Sequence, residues 1–101
     1  MSAGTAGLNI RRLVMDVDKA VARPAIPDIA AAIGACDGVA GINITVGEID
    51  IETVGMDVIV EGERLDYAQI VRAIEQTGAV VHSLDQIVCG ERVVEAVARK
   101  R

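Results

Sequence analysis

Between Gly38 and Gly62 the chain carries two apolar alternations, and a pair of β-strands is the arrangement that uses both. Ile42, Ile44 and Val46 alternate with polar or small residues, and Met56, Val58 and Val60 alternate with Asp57 and Glu61. Successive side chains of a strand point to opposite faces, so each set marks one buried face. The apolar positions are even-numbered up to Val46 and odd-numbered at Ile49 and Ile51. A regular strand cannot hold both sets on one face, so the switch predicts a bulge, or the start of a loop, at Gly47. If the strand continues past it, its end becomes an arm able to pair with another chain.

The flanking segments fit around this pair. Leu13, Met15 and Val17 alternate with Arg12, Val14 and Asp16, which predicts a first strand over 9–18. A helix is expected to start near Pro27, where a proline costs no hydrogen bond. Ile29, Ala32, Ile33 and Cys36 share one face of it, Asp28 suits its first turn, and Gly38 is the expected left-handed stop. Asp66 followed by Gln69 resembles a capping box ahead of Tyr67, Ile70, Val71 and Ile74, a second amphipathic helix that Gly78 should end. Residues 79–89 read as a strand. Gly90 and Glu91 then turn into Val93, Val94 and Val97, whose branched side chains favour a short fifth strand over a helical tail.

The order strand, helix, strand, strand, helix, strand is the ferredoxin-like split β-α-β plait, an α+β fold with two helices on one face of an antiparallel sheet. The 101 residues suffice for one such domain, expected over 8–98, with a mobile leader at 1–7 and a basic tail at 99–101. Tyr67 is the single aromatic although 51% of residues are hydrophobic, so the core must be aliphatic and apolar surface is expected to remain for a partner. The plait leaves one sheet face bare, and a second subunit is its expected cover.

Fifteen acidic against ten basic residues give a net charge of -5, which opposes binding to nucleic acid and to anionic membranes. No apolar run approaches the roughly 20 residues of a membrane span, and no secretory signal pattern opens the chain, so a cytoplasmic protein is expected. Cys36 and Cys89 form neither a Cys-x-x-Cys pair nor a Cys/His cluster and are expected to be free, mostly buried thiols.

Three constellations bear on chemistry. Glu48, Asp50 and Glu52 alternate along the second strand or its loop, where three carboxylates could converge on a hard divalent cation such as calcium, with Asp16 and Asp57 adding ligands across the sheet. A solvated strand face gives the same alternation and is the commoner cause. His82, the one histidine, lies near Ser83 and Asp85. Strand alternation would send His82 and Ser83 to opposite faces, so a relay is disfavoured, and His82 is expected to be a structural hydrogen-bonding or interface residue, with a metal ligand, alongside Asp85, or a pH-sensitive interface residue as the second reading. Gly38, Gly41 and Gly47 lack the Lys and Ser or Thr of a phosphate loop.

Several separated blocks also resemble a known family: residues 11–17 (RRLVMDV), 41–46 (GINITV), 48–53 (EIDIET) and 82–90 (HSLDQIVCG) are similar, in order, to the small, largely archaeal domain-of-unknown-function family 211. The resemblance covers most of 10–97. It implies the ferredoxin-like fold, ring-like homo-oligomers and calcium or another divalent cation as ligand, with no established activity. The chain departs from the family in its longer leader, its Ala/Arg/Pro-containing first connection, and Gln86 at a position where the family often has an acid. The leading expectation is therefore a non-catalytic, oligomeric regulatory or scaffold protein that binds a cation or small ligand at acidic subunit boundaries. The alternatives are a metal-handling domain related to heavy-metal-associated domains, which the absence of cysteine between Val21 and Pro27 disfavours, and a small enzyme built on His82.

Overall fold

The computed structural model describes residues 7–98. Its elements run β1 (Ile10–Ala20), α1 (Ile26–Gly34), β2 (Val39–Ile49), β3 (Thr53–Gly62), α2 (Tyr67–Gln76) and β4 (Val80–Cys89). The four strands form one antiparallel sheet in the order β2-β3-β1-β4, with the two helices packed together on one side. This is the expected ferredoxin-like plait.

Alternation decides which side each strand buries. Leu13, Met15 and Val17 of β1 and Val54, Met56, Val58 and Val60 of β3 meet Ile29 and Ile33 of α1 and Ile70 and Ile74 of α2 in a single aliphatic core. Leu65, in the loop before α2, is buried with them. Burying each such side chain contributes about 1.5–3 kcal/mol, and no aromatic is needed to fill the space between sheet and helices.

The expected bulge is present at Gly47. Val46 pairs with Met56, Gly47 is skipped, and Glu48 pairs with Gly55 and Ile49 with Val54. Val46 and Ile49 therefore share the helix-side face, and Glu48 turns to the other. α2 begins where expected: the Asp66 carboxylate accepts the Gln69 backbone N–H at 3.1 Å. The box is only half formed, because the Gln69 side chain accepts the Asp37 N–H instead and ties the two helical segments together.

Two expected boundaries are corrected. α1 stops at Gly34, four residues before Gly38, which has φ +80° but lies in the turn into β2. Gly34 faces Ile42 of β2. The fifth strand does not form: residues 93–98 have no regular secondary structure, although three of their six residues are valines. Side chains of β1 hold this segment instead. Arg11 Nη1 donates to the carbonyls of Gly90 and Glu91, and Arg12 makes a bidentate pair with Glu95 at 2.9 and 3.0 Å. Residues 1–6 of the expected leader and the basic residues 99–101 lie outside the described residues.

Candidate functional site: an acidic sheet face

The sheet face away from the helices collects carboxylates from all four strands. Asp16 and Asp57 stand directly opposite each other across β1 and β3. One pair further along, Asp18 stands opposite Gly55, and Gly55 opposite Glu48 of β2. The missing side chain at Gly55 opens a hollow of about 250 Å³ lined by Asp16, Asp18, Glu48, Asp57 and Asp85. A neighbouring hollow of about 390 Å³ is lined by Asp18, Glu48, Asp50 and Thr53 among others. Neither lining contains a lysine or arginine. Like charges directly opposite in a sheet are destabilising, so this arrangement costs the fold something that a bound cation would relieve.

The Gly47 bulge is what brings Glu48 here. The expected acidic row ends with it, because β2 terminates at Ile49 and Asp50 to Glu52 make the hairpin connection. The Asp50 carboxylate accepts the Ile51 N–H at 2.9 Å, and its own N–H donates to the Thr53 carbonyl. Asp50 borders the second hollow, whereas Glu52 lines neither. Among the described residues no three His, Cys, Asp or Glu side chains form a ready-made metal site. A cation at this face would draw the carboxylates inward or reach them through water.

β4 corrects the expectation for His82. Its pairing with β1 skips His82, between Ser83 and Val81, and skips Asp85, between Gln86 and Leu84. At the first of these bulges His82 and Ser83 both reach the open face, and His82 Nδ1 stands 4.0 Å from Asp18 Oδ2. Alternation alone had set them on opposite faces. Even so, Ser83 Oγ donates to Asp85 Oδ1 at 2.8 Å, and His82 is two-thirds exposed. His82 lines neither acidic hollow.

Asp18 is the site residue that sequence reasoning passed over, although its spacing two residues after Asp16 puts it on the same face. At the far end of the face Arg12 sits between Glu61, at 2.7 Å, and Glu95. The hydrogen bond to Glu95 is the main reason that Arg12 holds its proton more firmly than usual, and the same contact lowers the Glu95 carboxyl below its ordinary range. Both thiols are free; Cys36 is buried beside α2, and burial pushes its thiol up.

These features define a small ferredoxin-like protein with an acidic sheet face on the side away from the helices. The chain belongs to the DUF211 family, described as uncharacterized ArCR, whose model matches residues 11–101. It is similar to the uncharacterized protein MJ0319 of Methanocaldococcus jannaschii, with 41% identity over 88 residues that cover 87% of this chain and 90% of that protein. No helix among the described residues is long and apolar enough to cross a membrane.

Proposed function

We propose that the protein is a non-catalytic subunit that associates with copies of itself and takes a hard divalent cation, calcium first, on its acidic sheet face. The observation that carries this reading is the set of five carboxylates, Asp16, Asp18, Glu48, Asp57 and Asp85, gathered around one hollow of the sheet face away from the helices. Calcium takes six to eight oxygens at flexible geometry, which suits carboxylates that are near one another without being preset. Fewer protein oxygens than that leaves room for water or for oxygens of a second subunit. Ile49 and Ile51, 74% and 92% exposed at the hairpin end, support association, since large aliphatics this uncovered lose contact with water when a partner arrives. A non-catalytic role is supported by Ser83, whose hydroxyl is engaged by Asp85 rather than by His82.

The test is native mass in solution, by light scattering or native mass spectrometry, with calcium and after chelation. A defined oligomer whose mass or melting temperature responds to calcium, and loses that response in Asp57→Asn, is the expected result. A ligand at one hundred times its dissociation constant adds about 2.7 kcal/mol of stability, which melting resolves easily. An oligomer indifferent to calcium overturns the cation half, and a monomer under all conditions overturns association.

A further inference from the structure

The hairpin between β2 and β3 ends in a projecting apolar tip with an acid on either side. Ile51, at 92% exposure, is the most uncovered large hydrophobic side chain among the described residues, and Ile49 beside it is 74% exposed. Val21, whose N–H donates to the Glu52 carbonyl at 3.2 Å, adds a third exposed aliphatic to the same end of the sheet. Asp50 and Glu52 flank Ile51 in the chain, are exposed, and stand outside the five carboxylates around the smaller acidic hollow. Aliphatic side chains this open to water gain from burial against a partner, and the two acids require that partner to bring a cation.

The helix layer holds a counterpart. Between the C-terminal end of α1 and α2 lies a groove of about 420 Å³, bordered by Ala32 and Ala35 on one side and by Gln69, Arg72, Ala73 and Gln76 on the other. Its lining contains an arginine and no carboxylate, in a chain whose net charge is -5. The three alanines add little side-chain bulk, so an incoming aliphatic group can approach both helical segments. The ion pairs of the described residues leave both the Arg72 guanidinium and the Glu52 carboxylate unused.

We infer that the β2–β3 hairpin tip of one copy seats in the α1–α2 groove of a second copy, with Ile51 against the alanines and Asp50 and Glu52 against Arg72. This rests on the self-association half of the function proposed above and names its contact. The tip does not occupy the groove of its own chain, since Ile51 stands almost wholly in water. Charge selects the groove over the open sheet face of the second copy, where the same two acids would meet Asp16, Asp18 and Asp57. A bound cation is no alternative occupant of the tip, because it would leave Ile49 and Ile51 uncovered. Tip and groove are different surfaces, so the contact is head-to-tail and each copy both gives a tip and offers a groove.

The experiment measures native mass against protein concentration for the full chain, in chelator and in calcium, and compares variants in the buffer where the wild type assembles. Arg72→Glu should weaken association at least about tenfold, and Asp50→Arg together with Glu52→Arg should do the same, as reversing one side of a charged contact does. Ile51→Ser, which leaves the net charge unchanged, should also weaken it. All four positions are exposed, so the fold survives these changes. An equimolar mixture of Arg72→Glu chains with Asp50→Arg/Glu52→Arg chains should recover assembly, because each chain then presents the sign that the other accepts, whereas neither chain matches itself. Unchanged affinity in either charge variant, or a mixture no tighter than its components, overturns the contact while leaving self-association intact. A wild type that is monomeric in both buffers overturns both.

Discussion

Gly38 and Gly62 approach each other so closely that replacing one tests the packing of the whole β2–β3 entry. The Gly38 carbonyl accepts the Glu63 N–H at 3.0 Å, and Val39 pairs with Gly62. A Cβ added to Gly62 would stand inside the contact distance of the Gly38 carbonyl oxygen, 2.9 Å from its carbon and 3.0 Å from the Ala40 nitrogen. All three neighbours are backbone, so no side chain can swing aside. Overpacking of this kind costs about 1–3 kcal/mol, and losing the Glu63 hydrogen bond adds about 1 kcal/mol. Gly62→Ala should therefore destabilise by about 2–4 kcal/mol. For a domain of this size that is a fall in melting temperature of roughly 8–32 °C. Thermal unfolding followed by circular dichroism at fixed protein concentration measures it. Gly41→Ala is the control, since a Cβ there meets nothing within 4 Å, and it should change stability by no more than about 0.5 kcal/mol. Equal melting temperatures for Gly62→Ala and wild type would refute the close approach.

Ile74→Ala, at a fully buried site between α2 and the sheet, should cost about 2–5 kcal/mol in urea unfolding; a loss below about 1 kcal/mol would contradict its place in the core. Asp66→Ala removes the acceptor that caps α2 and should cost about 1 kcal/mol, with Asp66→Asn largely retained. In chelator, Asp57→Asn should raise the unfolding free energy measured in urea by a few tenths to about 1 kcal/mol, because it removes the like charge opposite Asp16; a loss would show that the pair is not repulsive. Acid should free the 93–98 segment before the domain unfolds. Glu95 is held below its ordinary carboxyl range by Arg12, so the contact contributes fully above the usual glutamate value near about 4.3 and is lost as pH falls through the depressed value. Amide exchange or NMR shifts of residues 92–96 would follow this, and Glu95→Gln should show the freed state at neutral pH.

The residues that were legible in advance are those whose role is set by local periodicity. Alternation placed Leu13, Met15 and Val17 on one face of β1, and the change of parity after Val46 located the Gly47 bulge, because keeping Ile49 on the apolar side requires one extra residue. Asp66 announced α2 because capping is a contact over three residues. His82 was misplaced because strict alternation was carried through β4: its helix-side residues Val81, Leu84 and Ile87 change parity at each bulge, but Val80 and Val88, apolar on the other face, obscure that signal. Val93, Val94 and Val97 were expected in a strand on propensity. In the folded chain Arg11 and Arg12 hold the segment to β1, where its backbone finds no edge.

What the sequence determined by itself is therefore the order of elements, the aliphatic core and the presence of many acids at alternating positions, all consequences of periods of two and of about 3.6 residues. The tertiary structure decided which acids meet. Asp16 faces Asp57, and Asp18 reaches Glu48 across the side-chain-free Gly55, because antiparallel register brings together residues distant in the chain. It also separated Glu52 from the group by ending β2 at Ile49, and joined Arg12 to Glu95 across 83 positions of chain. Pairings of this kind depend on strand order and register, which no local period in the chain records.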